Sequence, residues 1–346
     1  MIMKKGMIFM TALATATLIY SCSTDDGLGG GSGDPVDPTV HGTLYAASNS
    51  SNTIGAFDYM SQGILSKYFN VSSENNNGIF YNKEKDELIV ASKSQKVINV
   101  FSNVKNSSNG SPLNLSLSSD AILENPIDIA VKDNVYIISD NTDLDNDPDT
   151  DEGRFFIVTR DDNGFTLRNI VTVDYAVRGI QLIGNDLYTP VDNTGDVAVL
   201  KDFIATHTTD VTVSADKRIT IEGISRIHGI TEDAGFVVLT DIGDESRSND
   251  GGFNMINRFV AGFNATPDGG QLNFAGNQVR VSGSLTKLGN PVDVAYDDSR
   301  KTVYIAEQTN DGGQILFFTD VEAGGELPPT IKAPFKGASS VYFIDR

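Results

Sequence analysis

One cysteine in 346 residues leaves nothing for a disulfide framework or a thiolate zinc site. Three histidines, far apart in the chain, exclude a local zinc motif of the His-Glu-x-x-His kind, and no Gly-x-Ser-x-Gly precedes a helix. There is no tryptophan. Positive charge is also scarce: 26 Lys and Arg stand against 46 Asp and Glu, a formal net charge of −20. A surface this acidic repels phosphate backbones and excludes a nucleic-acid partner. With 39% apolar residues the chain can nonetheless build a core, and its 33 glycines without long helix-period runs indicate many short strands joined by turns.

The first 21 residues have the organisation of a secretory signal. Lys4 and Lys5 precede an apolar stretch, residues 7–20, which is too short for a spanning helix of roughly 20 residues. Ile19-Tyr20-Ser21-Cys22 then resembles a bacterial lipobox, which implies diacylation of Cys22, the only cysteine. Removing the two lysines would leave a net charge of −22. Ser23-Thr24-Asp25-Asp26 behind that cysteine resembles an export tag for the outer face of the outer membrane. The run Gly27 to Gly33 reads as a flexible tether, with no strand before it to make a phosphate loop. The expected organisation is a signal peptide over 1–21, lipidated Cys22 and tether over 22–41, and a folded domain over 42–346. The membrane would be reached through the lipid alone.

From Gly42 onward one unit recurs. Its clearest copies are Asn125-Pro126-Ile127-Asp128-Ile129-Ala130 and Asn290-Pro291-Val292-Asp293-Val294-Ala295; weaker ones begin at Asn77, Arg178, His228 and Ser339. The starts at 77, 125, 178, 228, 290 and 339 are spaced by 48, 53, 50, 62 and 49 residues. Each is followed by a second strand (44–48, 88–92, 135–139, 187–191, 236–240, 303–307) and then a third. Four-stranded units of that length are propeller blades. The segment at Gly42 lacks a first strand, and 338–345 is a first strand with nothing after it. The fold class is therefore all-β, a six-bladed β-propeller whose C-terminal strand completes the N-terminal blade and so protects the sheet edges there. The 62-residue interval leaves room for an inserted hairpin near Gly269–Asn277 or a degenerate seventh blade. The motif Asn-Pro-[Ile/Val]-Asp-[Ile/Val]-Ala, followed by a Tyr-containing strand such as Val135-Tyr136-Ile137, resembles the NHL, SMP-30/gluconolactonase and YncE-like group of bacterial propellers over 42–346. That resemblance speaks for fold more than function.

First strands line a propeller's channel, so their starts and the second-strand ends open on one face. One expected ring is Asn77, Asn125, Arg178, His228, Asn290 and Ser339; the other is Asn49, Lys93, Asp140, Asp192, Asp241 and Gln308, with Glu307 beside it. Asn is what turns demand, but Arg178 and His228 are not. With Asp192 and Asp241 they make a candidate site for an anionic or polyhydroxylated small molecule. His41 and His207 are expected at the surface, and Phe155-Phe156 and Phe317-Phe318 in the core.

The loop Asp140 to Glu152 carries seven carboxylates in 13 residues. Alternating oxygen donors are what Ca²⁺ takes. Counting Asn141 as position 1 puts Asp143, Asp145, Asp147 and Asp149 at 3, 5, 7 and 9, and Glu152 at 12. The alternative is a solvated acidic loop. Residues 241–252 and 310–313 form the corresponding loops of two later blades, so this face is acidic and the expected functional one. The leading functional reading is a surface lipoprotein that binds a ligand or partner protein there without catalysis. The family resemblance implies a second, a metal-dependent lactonase-type hydrolase, for which Asp140, Asp241 and Glu307 would have to reach the mouth beside Asn125 or Asn290.

Overall fold

The computed structural model describes residues 40–61, 63–145, 147, 152–244 and 246–346. Cys22, the tether through residue 39 and Asp149 lie outside the described residues; residues 40 and 41, expected in the tether, begin a strand. Six separate sheets make the six blades expected. Blade 1 consists of Ala338–Asp345, Val40–Ser48, Thr53–Met60 and Gly63–Asn70; blade 2 of Asn76–Asn82, Glu87–Ser92, Val97–Ser102 and Asn114–Ser118. Blade 3 contains Pro126–Lys132, Val135–Asp140, Gly153–Asp161 and Gly164–Val173, and blade 4 Gln181–Ile183, Asp186–Val191, Asp196–Leu200 and Lys217–Ile221. Blade 5 is Ile227–Asp233, Phe236–Asp241, Gly252–Asn257 and Gln278–Ser282, and blade 6 is Pro291–Asp297, Thr302–Glu307, Gln314–Phe318 and Ile331–Pro334. Closure is as the sequence implied: Gly42 pairs with Asp345 and Ala46 with Val341, antiparallel.

The core is divided as a propeller requires, one apolar cluster at each blade–blade interface. Tyr45, Phe69 and Leu88 fill the interface of blades 1 and 2, and Phe57, Tyr304 and Phe317 that of blades 6 and 1. Phe155, Phe156, Phe317 and Phe318 are buried. Alternation along each strand sends side chains toward both neighbours, so every blade contributes to two clusters.

The long interval in blade 5 holds neither a hairpin nor a seventh blade. After its third strand the chain forms the helix Phe259–Ala265, and Gln271–Leu272 then joins blade 4 as a parallel fifth strand. Blade 4 does the same to blade 3, through the helix Phe203–Thr206 and Val211–Val213. Phe203 packs on Phe155, and Phe259 and Phe263 pack on Tyr188, so each helix buries its aromatic residues against the preceding blade. His207 follows the first of these helices and stacks near Phe203. It is buried, not exposed as expected, because the excursion folds back onto blade 3. Partly buried His41 meets Ser61.

Candidate functional site

A backbone bond repeats around the ring and fixes the register of the mouth. The amide after each second strand donates to a carbonyl in the lead-in to the first: Asn49 to Gly337, Lys93 to Asn75, Asn141 to Asn125, Asp192 to Ala176, Ile242 to Arg226 and Gln308 to Asn290. Two residues further along the first strands comes the tier Ser339, Asn77, Ile127, Arg178, His228 and Val292. Pairing skips a residue here in blades 2, 3 and 6, a bulge that re-aims side chains. All six residues of this tier line one cavity of about 460 Å³. Asn125 and Asn290 line it too, from two positions earlier in register, so the expected first ring is in fact two tiers.

The second ring also needs correction. The register partners of Asp192 are Asn141 and Ile242, whereas Asp140, Asp241 and Glu307 fall one position earlier and turn away from the channel. None of the three lines the mouth, and all are buried. Asp140 accepts from the amides of Glu124 and Asn125 (3.0 and 2.7 Å), from Thr142 Oγ1 and from Arg154. Asp241 accepts from the amides of Ser225, Arg226 and Gly243 and pairs with Arg280 at 2.7 Å. Glu307 accepts from the amides of Gly289, Asn290, Thr309 and Asn310. Burial raises its pKa in spite of those four amides. Each of the three carboxylates ties the lead-in of the first strand to the end of the second in its own blade.

Asp192, expected at the mouth, is not among the residues that line the cavity; it holds one wall from behind, through its contacts with Arg178 and His228. Its carboxylate meets Arg178 Nη2 at 2.7 Å, Arg226 Nε at 3.4 Å and His228 Nε2 at 3.4 Å, and Asn141 Nδ2 reaches it from blade 3 at 3.4 Å. Burial alone would raise the Asp192 pKa, but His228 and Arg178 outweigh it and hold the group well below the usual carboxylate range. Burial lowers the His228 pKa to about 4, aided by Arg178 and Arg226 and opposed by Asp192. His228 is thus a neutral imidazole at pH 7, 8% exposed. At 3.4 Å from Asp192 the His228 Nε2 contact is long and poorly aligned, so this nitrogen makes no full hydrogen bond. Arg178 Nε and Asn290 Oδ1, also buried, have none either.

Beneath this tier is the channel waist, formed by Ser340, Gly78, Asp128, Gly179, Gly229 and Asp293. It joins the blades. Asp128 Oδ2 accepts from the Ile180 amide of blade 4, Asp293 Oδ2 from Val341 of blade 1, and Ser340 Oγ from Gly78 of blade 2. The Gly179 amide donates to the His228 carbonyl of blade 5. At the other two interfaces the backbones meet directly: a Cβ on Gly78 would lie 2.9 Å from Asp128 Cα, and one on Gly229 2.8 Å from Asp293 Cα. Burial raises the Asp128 pKa to about 6, and it raises that of Asp293 further above normal with help from the charge of Asp128. These two aspartates, visible in the sequence only as part of the repeat, were missed as site residues. They also border a cavity of about 680 Å³ at the opposite end of the channel.

In the acidic loop, carboxylate oxygens of Asp143, Asp145 and Glu152 lie within 4.8 Å of one another, and Glu152 Oε2 is buried without a hydrogen-bond partner. Three hard oxygen donors with one of them unsatisfied fit a Ca²⁺ ion. Asp147 is not in that group; its amide donates to Asp145 Oδ1. Asn141, expected as the first ligand, turns its side chain to the mouth instead.

No protein-family model matches the chain, and no curated protein matches it in sequence. Solved structures do. A structure of a nidogen/laminin complex aligns with TM-score 0.58 and 14% identity, over 87% of this chain and 98% of that one. A Bacteroides fragilis protein provisionally described as a 6-phosphogluconolactonase aligns with TM-score 0.57 and 10% identity, over 90% and 100%. A functionally unknown protein from Desulfotomaculum acetoxidans gives 0.54 and 9%, over 87% and 98%. At these identities the likeness is one of fold.

Proposed function

We propose that the protein is a lipid-anchored binding protein of the outer membrane, displayed at the cell surface, that holds a small anionic or polyhydroxylated molecule at the loop-face mouth of its propeller. The observation that carries this reading is the mouth itself. Asn77, Asn125, Arg178, His228 and Asn290 surround one cavity, and three buried polar atoms there lack a protein partner. Buried polar groups are normally satisfied, so three unsatisfied atoms on residues that line one cavity support a ligand. In this reading Ca²⁺ held by Asp143, Asp145 and Glu152 orders the blade 3 loop beside the mouth. Catalysis of the lactonase type is the weaker reading, because Asp140, Asp241 and Glu307 are committed to amides and guanidinium groups of their own blades.

The test is a saturation-transfer NMR screen of the full chain in detergent against mixtures of small anionic and polyhydroxylated molecules. At least one binder is expected, weakened at least tenfold in His228→Ala; no binder of either kind would overturn the reading. The anchor is checked by radiolabelled palmitate, which should label the wild type and not Cys22→Ala.

A further inference from the structure

Resting on the mouth as a binding site, we infer that its ligand is a neutral polyhydroxylated molecule, a sugar or polyol, held through its hydroxyl groups and not through a charge. The first reason is that the positive charge at the mouth is already used. Arg178 and Arg226 both approach the one carboxylate of Asp192, at 2.7 and 3.4 Å. The imidazole beside them is nine-tenths buried and uncharged at neutral pH. Arg226 does not itself line the cavity, and the other cation that does, Lys93, stands at the exposed rim. Below it the floor carries two carboxyl groups, Asp128 and Asp293. Both guanidinium groups are thus already paired with a carboxylate, whereas an anion site needs guanidinium groups that are not.

The second reason is the kind of hydrogen bonding on offer. Arg178 Nε can only donate. Asn290 Oδ1 can only accept, its own Nδ2 being turned to Gln308 Oε1 at 3.4 Å. His228 Nε2 does either, according to tautomer. A carboxylate or phosphate supplies acceptors alone and would leave Asn290 Oδ1 unmet. A hydroxyl donates and accepts, so adjacent hydroxyls can serve all three atoms. Carboxamides, which pair both ways, fill much of the remaining wall: Asn49, Asn77, Asn125 and Asn141. Among the described residues no Phe, Tyr or Trp lines this cavity, so hydroxyl contacts and not stacking on a large ring would set the preference.

The experiment uses the full chain in detergent and a matched panel: D-glucitol, myo-inositol, D-glucose and sucrose as neutral probes, D-gluconate and D-glucuronate as their charged counterparts, and butanoate as an anion without hydroxyls. Saturation-transfer titrations are run at low and high NaCl on the wild type, His228→Ala and Asn77→Ala. At least one neutral probe should bind, with affinity unchanged by salt, its charged counterpart at least tenfold weaker and butanoate silent. Either substitution should weaken that neutral probe by tenfold or more, so the result does not depend on one variant folding. A charged probe that binds more tightly than its neutral counterpart, salt-sensitive binding, or butanoate binding would overturn the inference while leaving the mouth a binding site. Silence of every neutral probe would overturn it too, and silence of all probes in this panel and in the wider screen would remove both.

Discussion

An imidazole buried between two guanidinium groups and a carboxyl group buried at a channel waist respond to acid in opposite ways. His228 has a folded pKa of about 4, below its ordinary value, so the stability it contributes is present above about pH 6.5 and is lost as pH falls toward 4. Asp128 has a folded pKa of about 6, above its ordinary value, so its contribution is present below about pH 4 and is lost as pH rises through 6. Asp293 has the same sign as Asp128. Asp192, held low, weakens the fold only at still lower pH. Between pH 7 and 4.5 the contribution of His228 opposes those of Asp128 and Asp293. We predict that, relative to the wild type, His228→Gln gains stability on acidification across that window and Asp128→Asn loses it. The divergence from wild type should be on the order of 2 kcal/mol in each case, read from urea midpoints. Variants that track the wild type would contradict these assignments. At this scale the sequence showed Arg178 and His228, because turn chemistry does not select them. It hid Asp128 and Asp293, because an aspartate inside a repeat motif looks like part of the pattern until the neighbouring blade's amide is seen against it.

Elements were more legible than residues, and their ends were the weak point. All six second strands lie where apolar β-branched runs placed them. A one-residue difference at two of their ends turns Asp140 and Asp241 away from the mouth; Asn141 lines the cavity in blade 3, and Ile242 is buried in blade 5. That difference follows from the backbone bond that repeats around the ring, which no side-chain pattern reports. The parallel fifth strands were equally hidden: Val211–Val213 and Gln271–Leu272 pair with the preceding blade, a partner about 40 to 50 residues back in sequence. The blade 3 loop is the element whose composition spoke most plainly, and three of its expected ligands do come together. Calcium should raise the melting midpoint of the EDTA-stripped chain by a few degrees, and Glu152→Gln should remove that gain. An unchanged midpoint would leave the loop merely acidic.

For the whole molecule, the repeat and the two half-blades at its ends were enough to give six blades and their closure. Topology then does what local pattern cannot, bringing residues from 49 to 339 to one cavity. The waist explains why a mouth so open to water can hold its shape. Every blade-to-blade interface is fixed there, by a hydrogen bond or by glycine against backbone, each bond worth about 1 kcal/mol. The central claim is that this mouth is where a ligand sits, and the chain's three histidines provide the measurement. Protein labelled with ¹³C at histidine Cε1 has one probe at the mouth, His228, and two away from it, His41 and His207. Titrated with the binder found in the screen, the His228 resonance should shift while those of His41 and His207 stay fixed. A binder that saturates the protein without moving His228 would contradict the account.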